Sequence, residues 1–185
     1  MIFSLIGPRG AGKTTIAVKL SELMKWPPAV STDAEVEKLA QKSIAKIVEA
    51  EGWNAFRRYE SEALAAIVDH HQNMSDPPPG VILDTGGGVV LSEKNRELLK
   101  TDGFVIYLRA DAETLAKRIR DDSGRPPLTD CVDPLVEMKQ ILAERSLIYE
   151  AMADLVVDTD ELGISACLTI LEQWVLKRCG TCELV

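Results

Sequence analysis

The chain has 185 residues, enough for one domain with a sizeable core and short for two. Its 46% apolar and 27% charged content exclude a disordered polypeptide, and a formal net charge of −8 argues against nucleic acid or an anionic membrane as the main partner, because both reward a basic surface. No stretch approaches the roughly 18 apolar residues of a membrane span, and the opening MIFSLIGPRG is too short for a signal peptide and lacks a basic start, so a cytoplasmic protein is expected.

Short apolar runs alternate with stretches of helical periodicity. Ile2–Ile6 reads as a buried strand ended by Gly7, and residues 12–24 carry Ile16, Ala17, Leu20, Leu23 and Met24 at helical spacing. Pro27, Pro28 and Ala29 lead into a short second strand at Val30. Helical stretches are expected at 35–41, 43–51 and 54–71. Residues 75–80, SDPPPG, form a loop, because three consecutive prolines cannot continue a helix. Val81–Asp84 is a third strand, stopped by Gly86, Gly87 and Gly88. Ser92 is placed to cap a helix reaching Lys100, residues 104–108 form a fourth strand, and Asp111 is placed to cap a helix to about Arg120. The polar residues 121–130 hold Gly124, Pro126 and Pro127 and read as a loop; 132–152 is helical, 155–157 a fifth strand and 164–177 a closing helix. Strands separated by helices imply an α/β fold of three layers, α/β/α, with about five parallel strands covered on both faces.

Four cysteines occur, at 131, 167, 179 and 182, and a reducing compartment is the simplest setting. Cys179 and Cys182 have CxxC spacing, but no second pair accompanies them to complete a zinc site. They read as two thiols in a tail. His70 and His71 read as a helix end rather than metal ligands.

The strongest local signal is Gly7-Pro-Arg-Gly-Ala-Gly12-Lys13-Thr14, which matches GxxxxGK[ST] with a strand before it and a helix after it. Glycines let backbone amides converge on phosphate oxygens, and the following helix N-terminus adds about half a positive charge. Gly10, Ala11, Gly12, Lys13, Thr14 and Thr15 are therefore assigned to nucleotide binding. Lys13 is expected to reach the β- and γ-phosphates, and the Thr14 hydroxyl to bind Mg²⁺.

Further segments follow in a specific order: Asp33-Ala-Glu35-Val-Glu37, Phe56-Arg57-Arg58-Tyr-Glu60, the glycines 86–88, Arg125-Pro126, and Glu144-Arg145-Ser-Leu-Ile-Tyr149. Together with the phosphate loop they resemble the shikimate kinase family, over nearly the whole chain from Ile2 to about Thr159. The resemblance implies ATP-dependent phosphorylation of the 3-hydroxyl of shikimate, in aromatic amino-acid biosynthesis. It also implies a nucleoside-monophosphate-kinase-like fold: one domain over 1–185, a helical substrate-binding insert at about 33–60 and a lid at about 121–131. ATP and shikimate are then the partners, with Mg²⁺ as cofactor, and a monomer suits a chain of this size.

Family positions assign roles residue by residue. Arg57 and Arg145 match arginines that hold the acceptor's carboxylate, a pairing that suits a planar guanidinium fork. Gly86, Gly87 and Gly88 match a turn that approaches the substrate ring. Asp33 matches the aspartate that accepts from the substrate hydroxyls and takes the proton of the attacking one. Glu60 is expected to orient Arg57. Arg125 matches the lid arginine that approaches the phosphates, and Arg118 the one that stacks on adenine; Lys117 and Arg120 lie close enough that a register shift would exchange them. Without the family context, Arg57 and Arg58 read as a solvated helix face, the glycines as a plain turn, and Arg145 as a surface partner of Glu144 or Glu150; Trp53 and Phe56 are placed to line the pocket, although aromatic residues in a helical insert are more often core.

The chain departs from the family at Ser31, where members carry the first aspartate of an Asp-x-Asp that supports Mg²⁺ through water; only the second, Asp33, is present. Asp84 ends the third strand at a position where a carboxylate can hold Mg²⁺ or its waters, so the carboxylate is expected to have moved from 31 to 84; the alternative is that Asp84 caps the glycine turn. The lid reads RPPLT, with one proline more than the common pattern. Two other readings stay open: a kinase for another small polyol acid such as gluconate, and a catalytically weak nucleotide-binding regulator.

Overall fold

The computed structural model describes residues 1–101, 103–120 and 133–180. Among them, five parallel strands form one sheet: β1 (Ile2–Ile6), β2 (Val30–Ser31), β3 (Val81–Asp84), β4 (Gly103–Arg109) and β5 (Leu155–Asp158), in the order β2-β3-β1-β4-β5. The helices are α1 (Lys13–Met24), α2 (Thr32–Ala40), α3 (Ile44–Gln72), α4 (Glu93–Thr101), α5 (Ala112–Arg120), α6 (Pro134–Met152) and α7 (Ile164–Arg178).

Side chains on a strand alternate between faces, and here both faces are buried, which is why the central strands read as continuous apolar runs. Phe3 and Leu5 of β1, with Ile106 and Leu108 of β4, enter a core built with Ile16 and Leu20 of α1 and Leu171 and Val175 of α7. Ile2 and Ile6, with Val105 and Tyr107, enter a second core with Leu64 and Val68 of α3 and Leu99 of α4. A third cluster, Val36, Ile47, Phe56 and Ala63, joins α2 to α3 and holds the helical insert together. The three-layer α/β/α expectation is met.

Several boundaries differ from expectation for identifiable reasons. α2 begins at Thr32, not 35, because the Ser31 side chain caps it by accepting from Ala34 N at 3.3 Å. The stretches expected at 43–51 and 54–71 run together as α3, bent at Gly52, whose φ of 80° and ψ of 171° interrupt the helix. A short 3-10 turn over Val89–Leu91 follows the glycines and was not anticipated. The two predicted caps are present: Ser92 Oγ accepts from Asn95 N at 3.4 Å, and Asp111 Oδ1 from Thr114 N at 2.6 Å. Among the described residues, no helix is long and apolar enough to cross a membrane.

The sheet order decides where chemistry can occur. β1, β3 and β2 are neighbours, with Leu5 opposite Asp84 and Asp84 opposite Ser31. The phosphate loop, the glycine turn and Asp33 therefore leave the sheet side by side at its C-terminal edge, where parallel α/β sheets place their ligands.

Candidate active site

Three connected recesses lie along that edge. The first is the phosphate pocket, lined by Gly10, Gly12, Lys13, Thr14 and Thr15 with Asp33, Asp84 and Arg118. α1 is preceded by Gly12, which has φ of 89° and offers no side-chain cap, and no acidic residue stands in the first turn. Its first-turn amides thus face the pocket as donors for an anion. Lys13 is buried, and its Nζ donates to the carbonyls of Gly7 at 2.9 Å and Pro8 at 3.0 Å, so its charge is held inside the loop.

The Thr14 hydroxyl donates to Asp84 Oδ2 at 2.7 Å. A hydroxyl and a carboxylate so placed are hard oxygen donors of the kind that Mg²⁺ takes from protein when phosphates and water complete its shell. Thr32 caps the glycine turn: Thr32 Oγ1 accepts from Gly86 N at 3.0 Å and donates to the Asp84 carbonyl at 3.4 Å. Ser31 does not line this pocket; its side chain caps α2.

A second recess adjoins the first and is lined by Ala11, Thr15 and Ile16 with Arg118, Leu162 and Ile164. This recess beside the phosphate loop combines apolar side chains with the Arg118 guanidinium. Arg118 lines both recesses and is fixed by bonds to the Thr159 carbonyl at 2.7 Å, Thr159 Oγ1 at 3.1 Å and the Gly10 carbonyl at 3.3 Å. Arg118 is the basic residue that lines these two recesses.

The third recess brings together Asp33, Arg57, Gly86, Gly87, Gly88 and Arg145, and adds Trp53, Phe56, Glu60 and Ile141. Trp53 and Phe56 belong to the third core cluster and also form the wall of this recess, with the Arg57 guanidinium 5.8 Å and 5.0 Å from their ring centres. Arg57 Nη1 donates to Glu60 Oε2 at 2.7 Å. Glu60 is fully buried, and burial pushes its carboxyl above the usual carboxylate range while the Arg57 charge pulls it back. Arg145 is mostly buried and also meets Glu144 at 3.2 Å, so the surface pairing and the pocket position hold together.

The glycines are required by close approach. A Cβ on Gly88 would fall inside the Arg57 guanidinium, and one on Gly86 would stand 2.7 Å from Glu60 Oε1 and 3.1 Å from Asp33 Oδ1. The buried Tyr149 hydroxyl donates to the Gly87 carbonyl and anchors the turn; burial raises its phenol. Sequence reasoning assigned no role to Tyr149, although it ends the quoted Glu144–Tyr149 segment. Arg9, which also escaped it, lines the first and third recesses alike. Arg125, the expected lid at 121–131, Cys131 and Cys182 lie outside the described residues.

Comparison with known proteins agrees with this geometry. The sequence model of shikimate kinase matches residues 9–175. The chain is 39% identical to shikimate kinase 2 of Yersinia pseudotuberculosis over 180 residues, covering 94% of this chain and 97% of that one. It is 40% identical to shikimate kinase 2 of Syntrophotalea carbinolica over 178 residues, covering 94% and 95%. Its fold superposes on the shikimate kinase of Acinetobacter baumannii in complex with shikimate at a TM-score of 0.83, with 29% identity and coverage of 96% and 93%. The enzyme of Aquifex aeolicus gives 0.75 with 28% identity, covering 97% and 99%. With the family model matched over residues 9–175 and relatives near 40% identical over nearly its whole length, the chain belongs to the shikimate kinase family.

Proposed function

We propose that the chain transfers the γ-phosphoryl group of ATP to the 3-hydroxyl of shikimate, as a cytoplasmic monomer. The observation that carries this reading is the position of Asp33, which lines both the phosphate pocket and the recess holding Arg57 and Arg145. A carboxylate shared by donor and acceptor sites is where the attacking hydroxyl must be oriented and its proton received. Two guanidiniums in the acceptor recess suit the carboxylate of a small polyol acid.

In this reading the amides of Gly10, Ala11, Gly12, Lys13 and Thr15 hold the phosphates, and Arg118 packs on the base. Lys13 neutralises charge on the moving group, and Arg125 takes the lid role that the family implies. Arg57 and Arg145 fix the acceptor's carboxylate, Glu60 and the two aromatic rings hold Arg57, and the turn at 86–88 meets the ring. Thr14 and Asp84 are the residues that would hold Mg²⁺, which supplies neutralisation of phosphate charge when bound. Most of the rate then comes from positioning and preorganised charge.

The test is a coupled ADP-release assay with shikimate, run beside Lys13→Ala and Arg57→Ala and with gluconate as a control acceptor. Shikimate should stimulate turnover and gluconate should not. Lys13→Ala should abolish the rate, and Arg57→Ala should raise the KM for shikimate. Failure of shikimate to stimulate ADP release would overturn the proposal.

A further inference from the structure

Arg9 and Asp33 are the two residues, among those described, common to the phosphate pocket and the acceptor recess. Asp33 is accounted for above; Arg9 is not. It fills one of the unrestricted positions of the GxxxxGKT pattern, so phosphate binding by the loop makes no demand for an arginine there.

The root of the side chain is fixed on both sides. Ala11 N donates to the Pro8 carbonyl at 3.3 Å, closing a four-residue turn around Arg9 and Gly10. Gly10 has φ of 84°, the left-handed conformation that the third residue of a type II turn needs. From the other side the glycine turn presses close: a Cβ on Gly87 would stand 3.3 Å from Arg9 N. The arginine thus projects from a rigid seam between the two recesses.

We propose that Arg9 contacts the phosphoryl group as it passes from donor to acceptor, making it a catalytic residue carried by the phosphate loop itself. The inference rests on the function proposed above. The phosphoryl group in transit spreads its charge over three equatorial oxygens. Arg9 supplies a guanidinium at the boundary, where charge is present only during transfer. A donor so placed lowers the barrier without tightening either substrate in its ground state.

Arg9→Met should lower kcat with shikimate about 100-fold, while calorimetric Kd values for ADP and for shikimate stay within about twofold. Arg9→Lys, which keeps the charge but not the fork, should recover part of the loss. A second readout uses ADP, Mg²⁺ and aluminium fluoride, which mimic the phosphoryl in flight. Wild type should bind shikimate more tightly with this mixture than with ADP alone, and Arg9→Met should lose that gain. This readout reports on folded protein only, so it decides the matter even if the variant is less stable. A wild-type kcat in Arg9→Met would overturn the inference alone, as would a loss lying wholly in one Kd with the fluoride gain intact. Failure of the wild-type chain itself to turn over shikimate would sink the proposed function, and this inference with it.

Discussion

The Thr14 hydroxyl donates to Asp84 Oδ2 at 2.7 Å, joining the first turn of α1 to the end of β3, while Ser31, opposite Asp84 in the sheet, caps α2 instead. The carboxylate nearest the phosphate loop's hydroxyl is therefore on β3. Asp84→Ala should raise the Mg²⁺ concentration needed for half-maximal nucleotide binding by about tenfold or more. Ser31→Ala should leave that requirement unchanged and cost about 1 kcal/mol of stability through the lost cap. Mg²⁺ titrations followed by calorimetry and thermal melts separate the two. Equal, small shifts in Mg²⁺ requirement would remove Asp84 from the metal's surroundings.

Gly88→Ala should displace Arg57, because the new methyl group would occupy the guanidinium's place. The obstacle is the far end of a flexible side chain, so the fold should survive with a small loss in Tm. The KM for shikimate should rise about tenfold or more, reflecting a lost charge-assisted bond, while the KM for ATP stays put. A parallel rise in both would mean that the whole edge of the sheet had shifted.

Glu60 gives a pH prediction. Its carboxyl titrates above its ordinary value of 4.5 in the folded protein, chiefly through burial. From pH 4.5 up to that raised value the folded chain holds more protons than the unfolded one, so Glu60's contribution to stability falls as pH rises. Glu60→Gln lacks this slope. The difference in Tm, variant minus wild type, should move in the variant's favour as pH rises across this window. A constant difference would show that Glu60 titrates normally.

Arg118→Met should weaken ATP and ADP binding several-fold and spare shikimate, since Arg118 lines the phosphate and base recesses and not the acceptor one. Calorimetry with each ligand alone is the check. Loss of shikimate affinity alone would contradict the placement of the base.

Much of this architecture could be read directly from the chain. Ile2–Ile6 announces a central strand by being apolar throughout and ending in a phosphate loop, and Val81–Asp84 does the same before the glycines. What stayed hidden depends on long-range contact. Trp53 and Phe56 can be read in sequence as core or as pocket wall; only the packing of α3 beside the glycine turn shows that they are both, with Arg57 over their rings. Thr32 and Tyr149 are ordinary polar residues until their hydroxyls reach the glycine turn from 54 and 62 residues away. Arg9 was passed over because the phosphate-loop pattern leaves its position open. The helical stretches on either side of Gly52 could be read, but not that they join there into one bent helix.

The sheet row of Leu5, Asp84 and Ser31 has a consequence for how such a site can change. Neighbouring strands lie about 4.8 Å apart, and that spacing is imposed by backbone hydrogen bonds. The separation between nucleotide loop, glycine turn and Asp33 is thus inherited from the sheet. Evolution can retune what each position recognises by exchanging side chains, but it cannot move the stations. A scan of single-residue insertions should find the segments just after β1, β2 and β3 intolerant, while residues 75–79 before β3, at the opposite edge and largely exposed, absorb added residues more readily.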